Sequence, residues 1–358
     1  MTRPARARID LQALRHNFSR VRQAAPDSRT MAIIKANAYG HGTVEVARAL
    51  PDARAFGVAC VEEAIALREA GFDRRIVLLE GPFDADDIGL INAYRLDLVV
   101  HHSTQLDLLE QGRLVRPVDV WLKIDTGMNR LGFMPDSAAA VRERLAGIAG
   151  VGSVRLMTHF ACADDLSSDY TRKQLHLFNE LAARLPGECS LANSAGVLGW
   201  PDSHADWVRP GVMLYGSSPL LGRRAGELDL RPVMTLTTQL IAVKPCRRGE
   251  PVGYSGDWVC PTDTTIGVAA IGYADGYPRH APGGMPVLVN GRRVPLAGRV
   301  SMDMICLDLG SRSGAQVGDE VVLWGDGLPV DEVAAMAGTI SYELLCGVGR
   351  RVQLKYLD

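Results

Sequence analysis

Only five of the 39 basic residues are lysines: Lys35, Lys123, Lys173, Lys244 and Lys355. In a chain that otherwise uses arginine, a lysine marks a place where an amine is wanted. A desolvated ammonium gives up its proton and attacks a carbonyl, which a guanidinium does not do. Lys35 lies in IIKANAYGHG, at the end of an apolar run. Lys123 closes a second such run in LKIDTGMNRLG, with Arg130 seven positions on. Three further apolar runs end on polar groups: His159 in THF, Asn193 and Ser194 in ANSAG, and Arg209 in RPG. A single strand-end histidine or lysine is ordinarily structural. Five polar termini are costly to bury without partners, so their convergence points to a ligand site. The glycines after Lys35 do not follow the GxxxxGK[ST] spacing of a phosphate loop.

Those groups need a scaffold that gathers strand ends. Short apolar runs alternate with helical patterns: MAIIKA (31–36), AFGVAC (55–60), RIVLLEG (75–81), LDLVV (96–100), VWLKID (120–125), VRLMTHF (154–160), CSLANSA (189–195) and WVRPGVMLYG (207–216). VEEAIALREAG ends on Gly71, a helix-stopping residue. In DYTRKQLHLFNELAARLP, Leu175, Phe178, Ala182 and Leu185 share a face and Pro186 stops the helix. A doubly wound sheet alternates similarly, but a count of eight units favours a TIM-type barrel, which holds its site at the C-terminal ends of the strands. After Arg231-Pro232 the pattern turns to strands and hairpins, with LVNGRRV as a tight turn and a short helix from Asp331 to Gly338. The expected fold is α/β. An N-terminal TIM-type (β/α)8 barrel covers residues 1–232, its first residues free to pair with the second domain, and a C-terminal mostly-β domain covers 233–358.

Charge and composition exclude whole classes of partner. Lys+Arg 39 against Asp+Glu 41 leaves a net charge of −2, with no basic excess for nucleic acid or an anionic membrane. The opening MTRPARARID has no apolar core of a secretory signal, and no uncharged run is long enough to span a bilayer. The seven cysteines form no CxxC pair, so free thiols in a reducing, cytoplasmic compartment are expected, and no metal site.

A lysine suited to carbonyl chemistry asks for a carbonyl cofactor or substrate. Ser194 and the backbone N–H groups near Gly211 and Val212 follow the seventh and eighth strands, where such barrels bind phosphate. Together these point to pyridoxal phosphate, with Arg209 the candidate partner of its pyridine nitrogen.

At this point the chain resembles a known family. AIIKANAYGHG, LKIDTGMNRLG, THFACADD, ANSAG, VRPGVMLYG, VGYSGDW, GYADGYPR, GRVSMDM and ISYELLCGVGRR resemble, in the same order, the motifs of alanine racemases, from residue 5 to about residue 351. The resemblance implies a pyridoxal-phosphate-dependent homodimer with shared active sites that interconverts L- and D-alanine, for peptidoglycan or for alanine catabolism. Residue by residue, it makes Lys35 the cofactor-bearing lysine and one base, and Tyr254 the second base, reaching in from the other subunit. Tyr39, Ser194, Gly211, Val212 and Tyr342 match the phosphate cradle, with Asn193 beside it. Arg209 matches the pyridine-nitrogen ligand, and His159 its hydrogen-bonding support. Arg130 and Met302 match groups that steer the cofactor phenolate and substrate carboxylate, while Tyr273 and Asp303 match the entrance. Lys123 matches a lysine often carbamylated in the family, where it holds Arg130. One departure stands out: Ser255 follows the tyrosine where the family commonly has glycine, which puts the local turn geometry in question.

Three other readings are weighed. Barrel-type amino-acid decarboxylases place an acid at the pyridine nitrogen, and Arg209 argues against them. A non-enzymatic pyridoxal-phosphate carrier is a barrel alone and lacks the second domain. A broad-specificity amino-acid racemase usually carries a secretion signal and lacks the Lys123 pattern.

Overall fold

Runs that are apolar at nearly every position cannot leave either face in water, and a closed ring of parallel strands wrapped by helices buries both. The computed structural model, which describes residues 3–358, has that ring. β1 (Arg6–Asp10) stays outside it. β2 (Arg29–Ile33), β3 (Ala55–Val58), β4 (Arg75–Leu78), β5 (Asp97–Val100), β6 (Val118–Lys123), β7 (Val151–Met157), β8 (Cys189–Ser190) and β9 (Trp207–Val208) close a barrel in chain order. β9 pairs back on β2 through Arg29 with Trp207 and Thr30 with Val208. The expected barrel is therefore present, followed by the expected mostly-β half.

The strand ends differ from the sequence reading. The last two barrel strands keep two residues each, because Ser194 opens a helix, Ser194–Gly199, and Pro210 has no N–H for a ladder. As a result Lys35 lies two residues past its strand, His159 two, Asn193 three and Arg209 one. Lys123 alone is the terminal residue of its strand. The helix expected to run to Pro186 spans Tyr170–Ala182 and buries Leu175 and Phe178. Helix Val61–Glu69 stops as anticipated, with Gly71 at φ +87°.

The second half is built on one long strand. β10 (Met234–Cys246) is followed by β11 (Pro251–Val252), β12 (Trp258–Val259), β13 (Thr264–Ala269), β14 (Pro286–Val289), β15 (Arg292–Pro295), β16 (Ile305–Asp308), β17 (Glu320–Trp324) and β18 (Gln353–Leu357). β10 pairs with β1 and β17 along its first part and with β13 along its second. β1 lies between β10 and β18, so the first strand of the chain is stitched into the terminal sheet. Asn290 and Gly291, at φ +49° and +75°, make the tight turn read from LVNGRRV. Helix Val330–Ala337 ends on Gly338 at φ +70°. A further helix, Ser341–Cys346, was not legible, being too short to show a period. The two halves are clamped where Ser217 donates to Asp331 and accepts from Ser341, with the Ser218 N–H on the other Asp331 oxygen.

Candidate active site

Lys35 is positioned by backbone that sequence propensity would forbid. Ala36, Asn37, Ala38 and Tyr39 all sit at φ +52° to +53°, a full left-handed turn without a glycine. Left-handed backbone costs about 1–2 kcal/mol per residue, so neighbours must hold this turn. Glu63 accepts the Ala36 N–H at 2.5 Å and the Ala59 N–H at 2.8 Å, tying the turn to the next barrel unit. Asn37 Oδ1 accepts the Thr43 N–H at 3.1 Å. Buried His41 donates from Nδ1 to the carbonyls of Tyr39 (2.8 Å) and Ala38 (3.0 Å), and burial lowers its pKa to about 4, so the ring is neutral. Tyr39 and His41 both stack on Tyr215, at 4.7 and 4.6 Å. Gly40 allows the helix Ser341–Cys346 to approach, since a Cβ there would lie 2.2 Å from the Leu345 carbonyl oxygen. That approach brings Tyr342, some 300 positions away, to 5.9 Å from the Tyr39 ring.

A set of cations faces the turn across the barrel mouth. Arg209, only 4% exposed, donates from Nη1 to Ser190 Oγ (2.6 Å) and from Nη2 to the carbonyls of Thr158 (2.7 Å) and Leu191 (3.1 Å). A guanidinium has five donors; its Nε–H and one Nη1 hydrogen are left over. Burial lowers its pKa to about 10, which leaves it charged at neutral pH. His159 Nδ1 lies 3.4 Å from Arg209 Nη2, and burial, then Arg209, Lys123, Arg130 and Lys35, hold it well below its usual range. A neutral His159 therefore accepts at Nδ1 and keeps its proton on Nε2. Lys123 is lowered to about 8 by burial, then by Arg209, Arg130 and Lys35, with Asp125 the weaker opposing charge. Four cations thus crowd one mouth, and their neighbourhood adds to burial in lowering Lys123 and His159, an arrangement that suits an anionic ligand.

Lys35, Tyr39, Lys123, Arg130, His159, Asn193, Ser194, Arg209, Gly211, Val212 and Tyr342 all line one cavity of about 1740 Å³. Ser194 Oγ accepts the N–H of Gly211 at 2.8 Å and of Met213 at 3.4 Å, and Asn193 caps the helix that Ser194 opens. A Cβ on Gly211 would lie 2.6 Å from the Tyr39 hydroxyl, so glycine is needed for the phenol to sit there. Burial holds the Tyr39 phenol well above its usual range and pushes Tyr342 up to about 12, so both remain hydrogen-bond donors. Protonated phenols, a serine hydroxyl and a guanidinium with two N–H groups left over make a donor set that fits a phosphate-bearing heteroaromatic ring. Among the described residues no His/Cys/Asp/Glu group could hold a metal, and no helix is long and apolar enough to cross a membrane.

Four of the sequence-read residues lie elsewhere. Tyr254, Met302 and Tyr273 are 66%, 52% and 41% exposed, and none of them, nor Asp303, lines the Lys35 cavity. Tyr273, Met302 and Asp303 share one place, because the Tyr273 and Ala274 N–H groups bond to the carbonyls of Ser301 (3.1 Å) and Met302 (3.0 Å). Buried Asp275 anchors that corner between Arg3 and Arg351, and Arg351 also reaches Asp303 at 2.7 Å. Ser255 takes φ +62°, so the turn after Tyr254 keeps a left-handed position although its residue is serine.

Sequence reasoning missed the groups beneath the mouth. Gln174 bonds to the carbonyl of His159 (3.1 Å), the N–H of Ala161 (2.9 Å) and Thr126 Oγ1 (3.2 Å), and Thr126 meets Thr158 at 2.8 Å. The signal was available: Gln174 sits beside Leu175 on the buried face of its helix, where a polar residue needs a partner. Glu63 and His41 gave no such signal.

Comparison with known proteins agrees with this geometry. Residues 9–219 match the model of the alanine racemase N-terminal domain, and residues 233–356 that of the alanine racemase C-terminal domain. The biosynthetic alanine racemase of Escherichia coli O6:H1 is 53% identical over 352 residues, 98% of either chain. The crystal structure of biosynthetic alanine racemase from Pseudomonas aeruginosa superposes with a TM-score of 0.97 at 48% identity, covering 100% of both chains. That of Bartonella henselae alanine racemase, with covalently bound pyridoxal phosphate, gives 0.89 at 29% identity over 99% of each. The chain belongs to the alanine racemase family.

Proposed function

We propose that the protein interconverts L- and D-alanine with pyridoxal phosphate held by Lys35, in a homodimer whose sites are shared, and that it supplies D-alanine biosynthetically. The observation that carries this reading is the gathering of Lys35, Arg209, Tyr39, Tyr342 and Ser194 on one cation-rich cavity from which Tyr254 is absent. Bound there, the cofactor would supply an electron sink for a carbanion at the substrate's Cα. Ser194, Tyr39, Tyr342 and the backbone at Gly211 and Val212 would hold its phosphate. Arg209 would face the ring nitrogen, and because a guanidinium does not readily surrender its proton it would offer that nitrogen a hydrogen bond without protonating it. An arginine at that position would thereby favour return of the proton to Cα.

Racemisation needs a proton removed from one face of a flat carbon and one delivered to the other. Lys35 Nζ is the acid/base on its own barrel's side. Tyr254 of the partner subunit supplies the other, which its exposure and its absence from the home cavity support. Met302 and Tyr273, exposed on the same half, and half-buried Asp303 beside them would enter that partner site with it. Arg130 steers the carboxylate, and His159 supports Arg209. Lys123, lowered to about 8 and beside Arg130, is suited to a carbamate that turns a repelling cation into an anionic anchor. Assays of L- and D-alanine against a panel of other amino acids, with and without added pyridoxal phosphate, test the reading. Exchange confined to alanine and dependent on the cofactor is expected, and inactivity on alanine in cofactor-loaded protein would refute it. Borohydride reduction should leave the pyridoxyl mass on Lys35.

A further inference from the structure

The seven cysteines have no motif in the sequence, but the fold brings two of them together. Cys246 ends β10 and Cys260 follows β12; their sulfurs stand 3.0 Å apart, the Cys260 thiol donating to Cys246. They are 8% and 1% exposed. With Val252, Ile266 and Ala297 they form a small apolar cluster separate from the main core, against which Trp258 and Cys306 pack. The chain between them is a hairpin held by two residue pairs, Pro251 with Val259 and Val252 with Trp258, and closed at its base by Cys260 N–H to Glu250 O and Gly249 N–H to Cys260 O, both 2.9 Å. Its tip is Tyr254.

We propose that Cys246 and Cys260 are a thiol–disulfide modification site, at which a hydroperoxide joins the two sulfurs and cross-links the base of the hairpin that presents Tyr254. The sulfur of Cys246, the more exposed of the two residues, attacks the hydroperoxide, whose O–O bond breaks, giving a sulfenic acid on the protein and releasing an alcohol that carries the Cys246 thiol proton. The Cys260 sulfur then displaces the sulfenic oxygen, which leaves as water with the thiol proton. Two thiols and one hydroperoxide become one disulfide, one alcohol and one water, and the two sulfurs together lose two electrons to the peroxide. Bonded sulfurs lie about 2.05 Å apart, so the pair must close by only about 1 Å. The resolving thiol already touches its partner, which intercepts the sulfenic acid before further oxidation. The cross-link encloses residues 246–260, a segment whose ladder is only two residue pairs long, and so it removes freedom that the hairpin otherwise keeps. The inference rests on the sulfur geometry and holds whether or not Tyr254 serves as a base.

The cofactor-loaded, full-length protein is treated with tert-butyl hydroperoxide, quenched, alkylated under denaturing conditions and digested. A joined peptide pair containing Cys246 and Cys260 is expected, about 2 Da lighter than the two free peptides together, reversed by dithiothreitol. Hydrogen exchange over residues 247–259 should slow in the cross-linked form and recover on reduction. In Cys260→Ala the pair cannot form, and Cys246 should accumulate sulfinic acid instead. Exposed Cys346 reports that the oxidant has acted. Cys246 and Cys260 both remaining alkylatable once Cys346 is oxidised, or either found joined to Cys306, overturns the proposal. A cross-link that leaves exchange over the hairpin unchanged overturns its constraining role.

Discussion

Replacing Lys123 by alanine separates two accounts of the barrel mouth, one in which this lysine is a buried cation and one in which it is the precursor of an anion. Its amine is lowered to about 8, by burial first and then by Arg209, Arg130 and Lys35. At pH 7 about a tenth of such side chains are neutral, against about 0.04% for a lysine near 10.4, a gain of roughly 200-fold. Carbon dioxide adds only to the neutral amine, so this environment favours carbamylation, and the carbamate offers Arg130 an acceptor. A hydrogen bond to a charged group contributes about 1.5–3 kcal/mol. If that much is realised in the transition state, Lys123→Ala should lower kcat/KM by about 10- to 150-fold. Formate, acetate or chloride should restore part of it. Carbon-13 bicarbonate should give one carbamate resonance that the substitution removes. At fixed dissolved carbon dioxide, recovery of stripped enzyme should quicken with pH up to about 8 and level off above, as the neutral amine fills. Full activity of Lys123→Ala in buffer free of small anions would refute the reasoning.

Three further outcomes rest on the same geometry. Refolding inactive Lys35→Ala and Tyr254→Phe chains together should recover roughly a quarter of the parent activity, because half of the dimers are mixed and one site in each regains both bases; verified mixed dimers without activity would sink the shared site. Arg209→Glu, which can share a proton with the ring nitrogen, should lower racemisation and let pyridoxamine phosphate accumulate during turnover; if no aminated cofactor forms, the ring-nitrogen assignment fails. Glu63→Ala strips the acceptor from the N–H groups of Ala36 and Ala59 and should cost about 1.5–3 kcal/mol in urea unfolding, while Glu63→Gln, which keeps one acceptor oxygen, should lose less. Equal midpoints for all three chains would show that Glu63 does not hold the turn.

What the sequence disclosed depends on how local each feature is. Alternating apolar runs disclosed the barrel, and Asn290-Gly291 a hairpin of the second half, because both signals lie within a few residues. The strand ends were read too long because Ile34 and Thr158, just before Lys35 and His159, lie in loops rather than ladders, and because Arg209 directly follows the last ladder residue, Val208. Tyr342 was assigned through family resemblance alone; its helix has six residues, and it reaches the mouth because Gly40 admits the Leu345 carbonyl. Thr126 and Thr158, which join two strand ends beneath Arg209 and His159, look ordinary until their partners are known, whereas Gln174 on the buried face of its helix was a legible polar exception. Cys246 and Cys260 looked dispersed because only the register of β11 on β12 and the end of β10 brings their sulfurs together.

The left-handed turn is the feature least visible in KANAY, whose alanines favour a right-handed helix, and it is open to a direct energetic test. At an ordinary helical position alanine to glycine costs about 0.5–1 kcal/mol, chiefly through the freedom glycine gains when unfolded. At Ala36, with φ +53°, the same change also relieves a backbone penalty of about 1–2 kcal/mol. The N–H that Glu63 accepts is retained, and the exposed methyl group contributes little packing. The net change for Ala36→Gly should therefore lie between no effect and a gain of about 1.5 kcal/mol, measured by urea unfolding of the cofactor-free protein. A loss near 1 kcal/mol would mean that Ala36 is in an ordinary turn in solution. A neutral or stabilising result would mean that the chain carries strain next to its reactive lysine, held from the next barrel unit by Glu63 and from the second domain by the close approach of Leu345 to Gly40. Strain held from that distance also bears on why a barrel alone is a poor account of this protein. Without the helix at 341–346 and the strand at 353–357, the turn that aims Lys35 and Tyr39 into the cavity loses the neighbours packed against Gly40 and Gly42. The second domain then serves its own chain's lysine, in addition to the role proposed for Tyr254.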